Sequence, residues 1–279
     1  LPAGITADTG MRGGKTIRYK TLVDEALELT KAPPAKVLLF NRGLDPELPW
    51  TEGRDVDWAS LRERHLEARV EPAWLEASEP SYILYTSGTT GKPKGVQRDT
   101  ETMFTSSDIG WVVGHSYIVY GPLLTGMTTV IYEGLPIRPD PGIWWKIVQD
   151  HQVNIMFTSP TAIRVLKKQP PEYLHKYDVS SLRSLYLAGE PLDEPTARWI
   201  AEALQVSIRD NYWQTETGWP ILSGVPEVED LPRKFGSPGG AVYGFELKLL
   251  NEQTGQEVGA NEKGVLTVVP PLPPGCLST

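Results

Sequence analysis

Short apolar runs that end in loops of glycine, hydroxyl or aromatic residues alternate with amphipathic stretches through the middle of this chain. Tyr82-Ile83-Leu84-Tyr85 runs into a glycine-rich loop, and Val153 to Phe157 runs into Thr158-Ser159. Leu182 to Ala188 leads into Gly189-Glu190-Pro191, and Val206 to Asp210 leads into an aromatic loop over 211–217. Between them, Ser159-Pro160 opens a helix with a capping hydroxyl followed by proline at the first helical position. A second helix is predicted from about Asp193 to Leu204, again with a carboxylate and a proline at its start. Strands alternating with helices at this spacing predict βαβ units and a mostly parallel sheet, an α/β fold.

The flanks differ in texture. Leu22 to Leu27 has a helical pattern, Pro33-Pro34 breaks it, and Val37 to Phe40 reads as a short strand. Residues 41–79 are rich in proline, tryptophan and charge and read as a surface excursion, with a helix around Asp57 to Arg69. Beyond Gly236, Phe245 to Leu250, a Thr254-Gly255 turn and Val265 to Val269 predict antiparallel strands. The expected division is therefore an α/β core over 1–235 and a β-rich part of the same domain over 236–279. The 279 residues are enough for one large domain or two modest ones at about 150 residues each. No internal repeat or low-complexity tract interrupts the pattern.

Composition narrows the partners. With 27 basic against 35 acidic side chains, the net charge of −8 disfavours binding along a nucleic-acid backbone. No apolar run approaches the roughly 18–20 residues that cross a bilayer, and Leu1-Pro2-Ala3-Gly4 has no signal-peptide character. A single cysteine, Cys276, excludes an internal disulfide and suits a reducing, cytoplasmic setting. The 26 glycines and 25 prolines mark a loop-rich globular chain, and loops are where sites are built. Oligomeric state is left open.

All four special loops follow the C-terminal ends of predicted strands, where open α/β sheets collect ligands, so they are expected to face one site. The first, Thr86-Ser87-Gly88-Thr89-Thr90-Gly91-Lys92-Pro93-Lys94, offers hydroxyls and backbone N–H groups to a polyphosphate and two lysines to neutralise it. It is not a Walker A loop: position 86 is Thr where glycine is needed, and Pro93 stands where Ser or Thr should follow the lysine. The last, Asp210-Asn211-Tyr212-Trp213-Gln214-Thr215-Glu216-Thr217-Gly218, supplies aromatic faces for a planar base, a hydroxyl for a phosphate and a hard carboxylate suited to Mg²⁺.

Together these two loops resemble the adenylate-forming superfamily, and most of all its short-chain acyl-CoA synthetase branch. Asp108 to Tyr117, Leu187 to Asp193 and Tyr212 to Glu216 are similar to acetyl- and propionyl-CoA synthetases, and Gly95-Val96-Gln97-Arg98-Asp99 is most similar to bacterial propionyl-CoA synthetases. The resemblance implies that Thr86 to Lys94 hold the β- and γ-phosphates of ATP. It implies that Gly189, Glu190 and Pro191 lie along the adenine, with Asp210, Asn211 and Tyr212 on its other sides. Gln214 and Thr215 would approach the α-phosphate and the carboxylate, and Glu216 would help hold Mg²⁺. Lys92, Thr215 and Glu216 would carry the catalytic work. Val112, Val113, Ala188 and Trp213 would line the acyl pocket, and Ser159-Pro160-Thr161 would approach the thiol arm of coenzyme A. His115 reads either as a satisfied structural histidine or as a residue shaping the acyl and coenzyme A site. His65, His151 and His175 read as surface positions.

The implied reaction activates a short-chain carboxylate with MgATP to an acyl-AMP, which coenzyme A then converts to the thioester. Acetate-specific relatives carry valine where this sequence has Ala188, and the space released predicts propionate over acetate by roughly 1–3 kcal/mol. An acetyl-CoA synthetase is the alternative. A nucleotide-binding module of the same fold without turnover also stays open. An amino-acid-activating domain would want a pocket carboxylate for the substrate ammonium, and Trp111 to His115 supplies none. The resemblance also implies further parts that these 279 residues do not include: an N-terminal portion that grips the coenzyme A nucleotide and a C-terminal domain with a catalytic lysine. Asp99-Thr100 runs straight into Glu101-Thr102, where relatives carry a glycine-led helix, so a segment reads as left out there. The 279 residues by themselves are expected to be inactive.

Overall fold

A computed structural model describes residues 3–12, 14–72, 74, 101–224 and 234–273. The predicted strand Tyr82–Tyr85, the loop Thr86 to Lys94, Asp99 and Thr100 ahead of Glu101, and Cys276 lie outside the described residues. The chain forms two compact units, Leu1–Trp74 with Glu133–Leu135, and Leu75–Tyr132 with Pro136–Thr279.

In the first unit, β1 (Ala3–Ala7) is followed by the hairpin β2 (Gly10–Arg12) and β3 (Lys15–Ile17), then α1 (Tyr19–Leu29), β4 (Lys36–Phe40), β5 (Asp55–Asp57) and α2 (Trp58–Arg64). The order β1-β4-β5 is parallel throughout. Residues 41–79 are therefore more than a surface excursion, because Asp55–Asp57 joins this sheet and Asp55 is buried. The periodicity hid that strand since both of its ends are carboxylates. Burial is tolerated through charge pairing: Lys20, fully buried on α1, meets Asp24 at 2.6 Å and Asp55 at 2.9 Å. Arg54 adds a 2.7 Å bond to Asp55, and Thr51 donates its backbone N–H at 2.8 Å. Burial works to raise the Asp55 carboxyl, but these partners outweigh it and hold it below the usual range.

The second unit carries β6 (Thr102–Thr105), α3 (Val112–Gly114), a π-helical turn (His115–Tyr120), α4 (Gly121–Leu124) and β7 (Thr128–Val130). Then come α5 (Ile143–His151), β8 (Ile155–Thr158), α6 (Pro160–Lys167), α7 (Glu172–His175), β9 (Ser184–Leu187), α8 (Glu194–Leu204) and β10 (Ser207–Tyr212). A 3₁₀ turn (Thr215–Thr217), β11 (Leu222–Ser223), β12 (Gly240–Ala241), β13 (Glu246–Leu250) and β14 (Val265–Val269) complete it. Among the described residues the main sheet has the order β12-β11-β10-β9-β8-β6-β7. Its pairs from β10 to β7 are parallel, and β11 and β12 are antiparallel additions. The expected α/β architecture with a mostly parallel sheet is what forms, and β13 pairs with β14 in the expected antiparallel ribbon.

Local signals explain the helices that were legible. Ser159 accepts from the Ala162 N–H and Asp193 from the Thr196 N–H, each capping its helix ahead of a proline in the first turn. Trp144, Trp145 and Val148 of α5 pack with Ile163 of α6, Ala197 and Ile200 of α8, and the buried strand residues Phe104, Met156, Leu185 and Leu187. A second cluster gathers Met103, Val112, Phe157, Ala188, Trp213, Trp219 and Phe245. The strand order reverses between β6 and β8: β6 leads outward to β7, whereas β8 leads the other way to β9. That reversal is where a doubly wound sheet opens a crevice.

Candidate active site

A cavity of about 770 Å³ opens at the C-terminal ends of β6, β8, β9 and β10. Ser106, Ser107 and Asp108 reach it from β6, Phe157 to Ser159 from β8, Ala188 and Gly189 from β9, and Trp213 to Glu216 from β10. Trp111, Val112 and Val113 close it from α3 and the residue before it.

Its floor is at the reversal point. Ser106 donates its backbone N–H to the Phe157 carbonyl at 2.9 Å and its hydroxyl to Thr158 Oγ1 at 2.6 Å. Its apolar wall is aromatic. The Tyr117 ring stacks on Phe157 with centroids 4.6 Å apart and meets Trp213 edge-on at 5.6 Å. Edge and stacked pairs of this kind hold Trp213 in one orientation. Tyr117 is partly buried, and desolvation pushes its phenol well above the ordinary range, so it serves as neutral packing.

The π-helical turn positions this wall. Such turns widen a helix locally and recur at functional sites. A side chain at Gly114 would lie 2.4 Å from the Asp108 carbonyl, so the approach of the two segments requires glycine there. Within the turn, the buried Ser116 donates its hydroxyl to the Gly218 carbonyl at 2.8 Å, tying the turn to the end of the loop that carries Thr215 and Glu216. That loop is fixed from inside as well. Gln214 and Thr217 form a reciprocal capping box, and Gly218 closes the turn at φ +72°.

The structure thus gathers around one cavity these residues singled out from the sequence: Val112, Val113, Ser159, Ala188, Gly189, Trp213, Gln214, Thr215 and Glu216. Ala188 and Trp213 are buried, at 4% and 9% exposure, so both belong to a packed wall as well as to the cavity. Glu190, Pro191, Asp210, Asn211 and Tyr212 flank the cavity in sequence without lining it. Asn211 is buried and donates from Nδ2 to the Leu187 and Arg209 carbonyls, joining β9 to β10. Tyr212 accepts from Gln214 Nε2 at 3.2 Å. Burial raises the Asp210 carboxyl to about 6, against the lowering effect of the Asn211 backbone N–H. Thr86, Ser87, Gly88, Thr89, Thr90, Gly91, Lys92 and Lys94 lie outside the described residues. His115 is half-buried with its ring 6.2 Å from that of Tyr120, while His65, His151 and His175 are exposed as expected.

Ser106, Ser107 and Phe157 were not foreseen as site residues. β6 opens with a polar threonine just after Glu101 and is four residues long, too short for alternation to declare it. Arg164 was missed for another reason: its partners are 26 to 29 residues away, on the loop after β9.

As for a metal, no group of three or more His, Cys, Asp or Glu side chains is gathered to hold one among the described residues. Glu216, a hard oxygen donor on the cavity wall, fits an ion whose other ligands come from phosphates and water.

Loops at the ends of four parallel strands thus meet at the reversal point of an α/β sheet, the place where such sheets bind ligands. The AMP-binding enzyme family matches over residues 15–271, and the chain belongs to that family. It is 55% identical over 295 aligned residues to a propionate–CoA ligase of Salmonella typhimurium and to one of Escherichia coli, covering 99% of this chain and 47% of each of those proteins. An acetyl-coenzyme A synthetase of Pasteurella multocida is 39% identical over 292 residues, covering 96% of this chain and 44% of that protein. The chain thus spans about half the length of the curated relatives it matches.

Proposed function

We propose that this chain is part of an AMP-forming acyl-CoA synthetase that activates propionate with MgATP and transfers the acyl group to coenzyme A. The observation that carries the reading is the cavity at the strand ends, where apolar Val112, Val113, Ala188 and Trp213 adjoin polar Gln214, Thr215 and Glu216. An alkyl tail fits the apolar side, and a carboxylate at its head would face the polar side. The identity to two propionate–CoA ligases supports the choice of acid. Acetate is the second reading, supported by relatives at 39% identity.

In the first step a carboxylate oxygen attacks the α-phosphorus of ATP, and the bond to the β-phosphate bridging oxygen breaks, releasing pyrophosphate. In the second, the sulfur of coenzyme A attacks the acyl carbon, its proton is lost, and AMP leaves. Both steps depend on position and charge neutralisation more than on a protein nucleophile. Thr215 would donate to an α-phosphate oxygen and Gln214 would orient the carboxylate, both held by the capping box around them. Trp213, locked against Tyr117, would limit the length of the alkyl tail. Glu216 would help hold Mg²⁺, which when bound supplies charge neutralisation at the phosphates. Lys92 and Lys94 would neutralise the β- and γ-phosphates beside the hydroxyls and amides of Thr86 to Gly91. Gly189, Glu190 and Pro191 would flank the base, with Asp210, Asn211 and Tyr212 opposite. The fold would divide as an α/β core over 1–235 and a β-rich part over 236–279. A cytoplasmic setting is part of the same reading. It is supported by the single cysteine and is in keeping with the finding that no described helix is long and apolar enough to cross a membrane.

The test is a panel of two- to four-carbon acids in the ATP–pyrophosphate exchange assay on the full-length protein. Propionate should give the highest kcat/KM. Exchange that does not depend on any acid would defeat the reading.

A further inference from the structure

The turn between β9 and α8 is fastened to α6 by one side chain. Arg164 places three nitrogens of its guanidinium on three acceptors of that turn: Nη1 on Glu190 Oε2 at 3.0 Å, Nη2 on the Pro191 carbonyl at 2.7 Å, and Nε on Asp193 Oδ2 at 2.8 Å. A planar fork matches such a spread of acceptors, and an ammonium does not.

The remaining carboxylate oxygens are also committed. Glu190 Oε1 accepts the Thr161 backbone N–H at 2.9 Å, in the first turn of α6, and Asp193 Oδ1 accepts the Thr196 N–H at 2.9 Å as the cap of α8. Burial acts to raise the Glu190 carboxyl, but Thr161 and Arg164 outweigh it and leave it below its usual range. The Asp193 carboxyl is lowered to about 2, first by Thr196 and then by Arg164. Glu190 is therefore engaged at both oxygens, and the residues of this turn that line the cavity are Ala188 and Gly189. Gly189 itself lines the cavity at φ +103°, with open space where a side chain would stand. Its position is set by a chain that is locked from the very next residue onward.

We infer that Arg164 is a positioning residue for base recognition: by clipping Glu190, Pro191 and Asp193 to α6 it fixes the backbone wall against which a purine is read. The inference rests on the proposed placement of the nucleotide base along residues 189–191. A side chain that only stabilised the fold would, when replaced, weaken every nucleotide alike. One that fixes the base wall would selectively blunt the choice between bases.

The experiment is calorimetric titration of the full-length protein with MgATP and MgGTP, for the wild type, Arg164→Gln and Arg164→Lys. In Arg164→Gln the Kd for ATP should rise about tenfold while that for GTP changes less than about twofold, the cost of losing a charge-assisted set of bonds at one locus. Arg164→Lys, able to serve one acceptor at a time, should fall between. A wild-type ratio of Kd values near one, or a ratio unchanged in the variants whether both affinities hold or fall together, overturns the inference. Should Arg164→Gln not fold, the same ratio read in Arg164→Lys decides. Failure of the ligase reading would show separately, as absence of acid-dependent pyrophosphate exchange in the wild type, while the titrations still answer for Arg164.

Discussion

Ser106 and Thr158 join the ends of β6 and β8 through a 2.6 Å hydrogen bond between their hydroxyls, at the point where the strand order reverses. The bond adds to the backbone hydrogen bond from the Ser106 N–H to the Phe157 carbonyl at the same strand ends. Ser106→Ala removes the donor and leaves the buried Thr158 oxygen short of a partner, at a cost of about 1 kcal/mol. Urea denaturation should show a lower midpoint at unchanged slope. An unmoved midpoint would mean that the hydroxyl pair does not secure the floor of the cavity.

Ala188 stands in the cavity wall beside Val112 and Trp213, so its substitution tests the acyl pocket directly. Ala188→Val in the full-length protein adds two methyl groups where the alkyl tail is proposed to lie. The ratio of kcat/KM for propionate to that for acetate should fall about tenfold or more. Equal ratios in the two proteins would move the acyl tail elsewhere.

Lys20 is the cationic centre of a buried network with Asp24 and Asp55 in the first unit. Lys20→Met keeps the side chain's length and leaves buried Asp55 with Arg54 as its remaining cation, so a loss of about 3–5 kcal/mol is expected. The double variant Lys20→Met, Asp55→Leu should recover part of that loss, because the uncompensated charge goes with it. Denaturant unfolding of both proteins gives the comparison.

Asp210 makes stability depend on pH in an unusual direction. Its carboxyl titrates at about 6 when folded, above the ordinary 3.8, so the folded state keeps a proton that the unfolded state has lost between those values. Stability contributed by this group is therefore highest below about pH 4 and declines as pH rises toward 6. Asp210→Asn should flatten that part of the profile and raise stability at pH 7 relative to wild type. Thermal melts from pH 4 to 7 measure it; parallel profiles for the two proteins would rule out this half-buried carboxyl as their source.

Much of the second unit could be read directly. Ser159-Pro160 and Asp193 announced α6 and α8 because caps act within three residues, and β8, β9 and β10 showed because their apolar runs are short and bounded. The pairing of loops 188–189 and 213–216 across one cavity also followed, since the C-terminal ends of parallel strands must share an edge. Asp55–Asp57 was hidden because a strand flanked by carboxylates looks exposed until Lys20 and Arg54 arrive from elsewhere. α5, with Trp144 and Trp145 in its buried face, lacked a capping side chain to mark its start.

What the sequence determined alone was local: the residue types at strand ends, the caps, and the apolar or charged character of each wall. What only the tertiary structure decided was long-range partnership. The Ser106 hydroxyl finds Thr158 52 residues later, and Ser116 finds Gly218 102 residues later. Arg164 draws its three acceptors from a turn that is near it only because α6 and α8 pack side by side. Hydrogen bonds and ion pairs act over a few ångströms of space with no regard for separation along the chain. A motif can therefore state what a loop offers, while the sheet order and helix packing settle which groups it meets.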